Sequence, residues 1–131
     1  MTVVVGYLST PEGREALATA VDESLARRSE LLVVVSDKGG HATPEQVGER
    51  SEDIARIIAP LAAAGLEHRV VEGTGEVAED LVGTAETNQA ELIVIGLRRR
   101  SPVGKLILGS NAQRILLDAP CPVLAVKPDR S

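Results

Sequence analysis

Aromatic residues are almost absent: Tyr7 stands alone, phenylalanine and tryptophan are missing, and aromatics make up 1% of the 131 residues. A core without large rings must be filled by many small branched side chains, which suits layers of helix on sheet. Cysteine is as scarce. Cys121 is the single one, so no internal disulfide forms and a cysteine-rich metal site is excluded. Positive charge is also short, with 14 Lys and Arg against 19 Asp and Glu, a net charge of -5 and a pI of about 5.0. General binding to nucleic acid or to an anionic membrane surface would rest on the opposite imbalance, so any basic function must be local. No hydrophobic run approaches the length of a membrane span, and the opening Met1-Thr2-Val3-Val4-Val5-Gly6 has neither a charged n-region nor a long apolar h-region. The expectation is a soluble cytoplasmic protein.

What the chain does have is 44% hydrophobic residues, enough for one core in a single domain over residues 1–131. Val3-Val4-Val5-Gly6-Tyr7, Leu31-Leu32-Val33-Val34-Val35 and Glu91-Leu92-Ile93-Val94-Ile95 are short runs rich in apolar and β-branched residues, as strands buried on both faces of a parallel sheet are. Glu67-His68-Arg69-Val70-Val71 is more polar and predicts a strand nearer an edge, and Pro122-Val123-Leu124-Ala125-Val126 closes the series. Between these runs the apolar period turns helical. Thr10-Pro11-Glu12 supplies N-cap, first helical proline and first-turn acid for a helix through Ala16, Leu17, Ala20, Val21 and Leu25, ending at Arg27-Arg28, which complement its negative end. Thr43-Pro44-Glu45 repeats the signal for a longer helix with Val47, Ile54, Ile57, Ile58 and Leu61 on its buried side. Pro60 is expected to kink it and Gly65 to end it. Gly75-Glu76 opens a third helix through Val77, Ala78, Leu81, Val82 and Ala85, and Gly109-Ser110 a fourth through Ala112, Ile115, Leu116 and Ala119. This alternation predicts a doubly wound parallel sheet with helices on both faces and right-handed crossovers. Ligands of such sheets bind beyond the carboxyl ends of the strands, which brings the loops at 8–10, 36–43 and 96–109 into play.

Several motif-like spacings fail on their own chemistry. Gly104-Lys105 is similar to the end of a phosphate-binding P-loop, but the earlier glycine position is Arg99 and the Ser or Thr position is Leu106, so Lys105 reads as a solvated residue that could still reach a phosphate held by the same loop. Gly73-Thr74-Gly75-Glu76-Val77-Ala78 formally fits the dinucleotide G-x-G-x-x-A. The acid that would hold a ribose at the end of the next strand is missing, because Ile95-Gly96 occupies that place and Glu91 precedes the strand, so a tight turn into a helix is the better reading. His41 and His68 have no Cys or carboxylate at metal-ligand spacing, and no metal site is expected. Ser9, Ser36, Ser101 and Ser110 have no local partner that marks an activated nucleophile, and no Gly-x-Ser-x-Gly elbow occurs. Cys121, between Pro120 and Pro122, reads as a small apolar filler.

The stretch 96–110, GLRRRSPVGKLILGS, joins the buried fourth strand to the last helix. Free N–H groups at that helix start favour an anion, and Arg98-Arg99-Arg100 brings local positive charge to a ligand-facing loop. This stretch, continued through Asn111-Ala112-Gln113-Arg114-Ile115-Leu116 to Ala119-Pro120-Cys121-Pro122-Val123-Leu124-Ala125-Val126, resembles the universal stress protein family, and the resemblance covers essentially the whole chain. It implies a Rossmann-like, five-stranded parallel sheet of the adenine nucleotide alpha hydrolase type, in strand order 3-2-1-4-5. ATP-binding members of that family carry G-x2-G-x9-G-[ST]. Gly96, Gly109 and Ser110 match it, whereas Arg99 stands at the second glycine, where a left-handed backbone would cost a non-glycine residue roughly 1 to 2 kcal/mol. Those members also place an Asp after the first strand. Leu8 stands there in this chain and cannot accept a hydrogen bond from a ribose or an adenine amine.

The resemblance therefore implies a stress-response or signalling module with a degenerate adenine-nucleotide or anion site. The N–H groups of Gly109 and Ser110 with Arg98, Arg99 or Arg100 would take the phosphates, Gly96, Tyr7 and Leu8 would border the site, and Val35 would lie near the base. ATP or another adenine nucleotide would bind weakly. Two alternatives stay open: a member that binds no nucleotide and works through dimerisation and protein partners, and a slow nucleotide hydrolase, for which no general base stands out. The resemblance also implies a homodimer in which Val123, Leu124, Ala125 and Val126 pair antiparallel with their copies across a two-fold axis. An apolar terminal strand would otherwise leave a bare sheet edge, and Lys127-Pro128 would limit further strand addition.

Overall fold

The structure, a computed structural model, describes residues 1–36, 43–97 and 108–127. The apolar runs become strands β1 (Thr2–Tyr7), β2 (Glu30–Val35), β3 (His68–Glu72), β4 (Leu92–Gly96) and β5 (Val123–Val126). They pair in parallel in the order β3-β2-β1-β4-β5. Between them lie helices α1 (Pro11–Arg27), α2 (Pro44–Ala63), α3 (Val77–Thr87) and α4 (Ser110–Asp118). This is the predicted doubly wound sheet. The chain builds outward from β1 to β2 and β3, then returns to the other side of β1 for β4 and β5, so the strand order reverses beside β1 and opens a crevice there.

Strand alternation divides the core between the two faces. Val3, Val5, Tyr7, Val33 and Val35 pack with Leu17, Val21, Ile54 and Leu61 of α1 and α2. Val4, Leu32, Val34, Ile93 and Ile95 pack with Leu81, Ala85 and Ile115 of α3 and α4. Each such side chain taken from water contributes about 1.5 to 3 kcal/mol, which is how a chain with one aromatic residue fills its core. Cys121 is half-buried against the second cluster, and burial pushes its thiol pKa up. At the amino ends of the strands, buried Ser29 hydrogen-bonds Glu91, which also meets Arg27 at 3.4 Å, tying the end of α1 to the start of β4. Glu91 is thus a structural clasp at the end of the sheet remote from the crevice.

The polar third run is indeed an edge strand, with Val70 47% exposed. Its bounds, His68–Glu72, lie one residue later than the sequence pattern suggests. Helix α2 continues through Pro60 to Ala63. Helix α3 starts at Val77, with Glu76 as its cap residue. Among the described residues no helix is long and apolar enough to cross a membrane.

Candidate functional site

The crevice at the carboxyl ends of β1 and β4 is a cleft of about 190 Å³. Gly6, Tyr7 and Leu8 leave β1 through it, Ile95, Gly96 and Leu97 leave β4, and Val34 and Ser36 border it from β2. Glu12 and Gly13 of α1, Val77 and Leu81 of α3, and the segment 109–112 with Ile115 of α4 complete the lining.

On one side main chain meets main chain. A Cβ on Gly13 would lie 1.9 Å from the Leu8 carbonyl oxygen, and one on Gly96 would lie 2.4 Å from that of Glu12. The missing side chains let the first turn of α1 press against the ends of both strands. Gly96 therefore has a packing duty independent of any ligand. Leu8 stands at the rim, 44% exposed, its carbonyl accepting from the Thr10 N–H at 2.8 Å. Tyr7 borders the cleft, yet its side chain is 1% exposed and belongs to the α1 and α2 face. Burial pushes its pKa up, and its hydroxyl, in the field of Ser9, Asp53 and Arg14, has no hydrogen bond of ordinary geometry among the described residues.

The opposite side is polar and depends on Asp80, which sequence reasoning missed. Its carboxylate accepts from the Ser36 hydroxyl at 2.7 Å, the Thr74 N–H and hydroxyl at 2.9 Å each, and the Gly75 N–H at 3.3 Å. Burial pushes this carboxyl up, but the hydrogen bonds from Ser36, Thr74 and Gly75 outweigh it and hold the pKa below the usual carboxylate value. A Cβ on Gly73 would fall 2.1 Å from Asp80 Oδ2, so only glycine admits the carboxylate. The segment 73–75 is a turn, as its sequence suggests. Ser36 does have a carboxylate partner after all, 44 residues away in sequence. An acid in the first turn of α3 and a serine ending an apolar strand were the available signals, and only the sheet topology brings them together.

The start of α4 closes the cleft. Helices α1 and α2 are capped by side chains: Thr10 accepts from the Gly13 N–H, and Thr43 forms a reciprocal capping box with Gln46. Helices α3 and α4 begin without a side-chain cap, and at α4 four consecutive residues, Gly109, Ser110, Asn111 and Ala112, line the cleft. The first-turn N–H groups of α4 and the positive end of its dipole are directed to whatever enters.

The structure thus brings Gly96, Gly109, Ser110, Tyr7 and Leu8 together around one cleft. Val35 stands apart. Its side chain is 3% exposed on the α1 and α2 face, while its neighbours Val34 and Ser36 line the cleft, because consecutive strand residues point to opposite faces. Arg98, Arg99, Arg100, Ser101 and Lys105 lie outside the described residues, as does His41. Among the described residues no cluster of His, Cys, Asp or Glu could hold a metal ion. Val123, Leu124, Ala125 and Val126 form the edge strand β5, paired with β4 and half-buried, with Leu124 and Val126 on one face and Val123 and Ala125 on the other.

Comparison with known proteins gives a consistent result. The model of the universal stress protein family matches residues 1–127. A universal stress protein of Mycolicibacterium smegmatis is 41% identical over 127 residues, which cover 96% of this chain and 97% of that one. The structure of a universal stress protein from Archaeoglobus fulgidus superposes with a TM-score of 0.73 at 32% identity, covering 97% of this chain and 98% of that one. The structure of the universal stress protein from Archaeoglobus fulgidus in complex with dAMP superposes with a TM-score of 0.69 at 28% identity, again covering 97% and 98%.

Proposed function

The chain belongs to the universal stress protein family, and from that premise we propose that it is a cytoplasmic, homodimeric stress-response module whose cleft takes an adenine nucleotide weakly. The observation that carries this reading is the start of α4, which no side chain caps and whose first residues line the cleft. Phosphate oxygens would accept from the first-turn N–H groups at Gly109 and Ser110, with Arg98, Arg99 or Arg100 supplying the local positive charge. The dAMP complex of the 28% identical relative supports an adenine nucleotide as the occupant. Weakness follows from Leu8, which offers the ribose no acceptor, and from Arg99 at a position where glycine would let the loop close on phosphate. The half-buried apolar edge of β5 supports pairing with a second copy through Val123, Leu124, Ala125 and Val126.

Titration calorimetry with AMP and with ATP tests the site. Weak saturable binding is expected, lowered by Ser110→Pro more than by Ser110→Ala, since proline is tolerated at the first helical position but removes one N–H. Tight ATP binding, or heats unchanged by Ser110→Pro, would count against it. Sedimentation at micromolar concentration is expected to show a dimer, and a monomer would remove that part of the proposal.

A further inference from the structure

Ser36 borders the cleft with its hydroxyl held by a carboxylate. The N–H groups of Thr74 and Gly75 can only donate, and both approach Asp80 Oδ2, the same oxygen that lies 2.7 Å from Ser36 Oγ. Thr74 Oγ1 occupies the other carboxylate oxygen. The lowered pKa keeps this carboxylate ionised and therefore acceptor-only, which makes Ser36 the donor between the two. Its single proton is thus directed at Asp80, and to any other group its oxygen offers only lone pairs.

The position of this oxygen decides what it meets. A ligand whose phosphate sits at the start of α4, after β4, reaches across β1 toward β2 with its opposite end. There the lining is Val34, Val77 and Leu81, an apolar wall suited to a planar ring, and Ser36 is its polar group. Resting on the nucleotide reading above, we infer that Ser36, its proton committed to Asp80, is a specificity-determining residue that selects a base carrying an exocyclic amine. Adenine donates to the Ser36 oxygen through that amine. Hypoxanthine presents a carbonyl oxygen at the same position, and two acceptors face each other without a proton between them. Asp80 touches no ligand and acts as a positioning residue, fixing the direction of the Ser36 hydroxyl.

The test is the affinity of the full chain for AMP and for IMP by calorimetry, in the wild type, Ser36→Ala and Asp80→Ala. The wild type is expected to prefer AMP by about tenfold or more. In Ser36→Ala, where the acceptor is gone, the ratio falls to near one. Asp80→Ala removes the acceptor that holds the Ser36 proton, which frees the hydroxyl to donate into the cleft and moves the ratio toward IMP. A merely structural role would weaken both nucleotides together. Equal wild-type affinities, or a preference that survives Ser36→Ala, overturns the selection while leaving the nucleotide site standing. Failure of both nucleotides to bind the wild type overturns the site itself, and the selection with it.

Discussion

On the α3 side of the cleft a carboxylate gathers the wall together, Asp80 taking hydrogen bonds from Ser36, Thr74 and Gly75, while on the α1 side the contact is main chain on main chain at Gly13 and Gly96. The polar wall satisfies its own donors. The glycine wall makes few polar demands and depends on the absence of atoms. Between the two, the start of α4 leaves its donors without a side-chain cap. An anion entering the cleft would therefore find at the start of α4 a place where it supplies a missing acceptor, between two walls that already hold their shape, which is how a site avoids reorganising when it is filled.

The glycine wall is the easier to break. Gly13→Ala would ordinarily help a helix by up to about 1 kcal/mol. Here the new carbon would meet the Leu8 carbonyl at 1.9 Å, and a loss of about 3 kcal/mol is expected, read as a lower denaturation midpoint at unchanged slope. Gly48, also helical, has nothing within 4 Å of its Cβ position. The same substitution there is expected to stabilise by roughly 0.5 to 1 kcal/mol. Equal effects at the two glycines would erase the contrast. The polar wall gives next: Asp80→Ala strands the donors of Thr74 and Gly75, though exposure of the turn lets water replace part of what is lost. About 2 kcal/mol is expected in urea unfolding, and a change below about 0.5 kcal/mol would show that the turn holds without its carboxylate.

The occupant is tested by restoring what the family pattern has and this chain lacks. Leu8→Asp with Arg99→Gly is expected to tighten ATP binding by about tenfold, or about 1.4 kcal/mol, by returning an acceptor at the rim and backbone freedom in the loop. Calorimetry that finds no gain in the double variant would mean the rim and the loop do not set affinity.

Legibility in the sequence divides along the same line as the two walls. Strands β1, β2 and β4 announce themselves through continuous β-branched runs, and the helices through Thr-Pro-Glu starts and apolar spacing, because those signals are local. Gly96 at the end of β4 and Gly109 and Ser110 at the start of α4 follow from the same local signals. Asp80 was not legible, because its meaning depends on Ser36 from another strand and on a gap at Gly73 that only the assembled sheet creates. Val35 lies one residue from the wall residues Val34 and Ser36, and an apolar run buried on both faces carries no mark of which side chains point to the cleft. Strand β3 begins and ends one residue later than its sequence suggests, because a mixed polar edge segment carries no sharp mark of where pairing starts.

The smallest expected effect separates the walls by pH. The folded-state pKa of Asp80 is lowered from 3.8, so its contribution is fully present above that value. As the pH falls below about 4, the unfolded chain takes up a proton that the folded carboxylate still refuses, and stability declines until the folded group is protonated too. Asp80→Asn has no such proton to take up. The stability difference between the wild type and Asp80→Asn is therefore expected to be widest near pH 7 and to narrow as the pH falls through the acid range. Gly13→Ala removes no titrating group, and its deficit should stay constant over the same range. A deficit at Asp80→Asn that does not change with pH would mean that the carboxylate holds the α3 wall by shape rather than by charge, and the two walls would then be alike in kind.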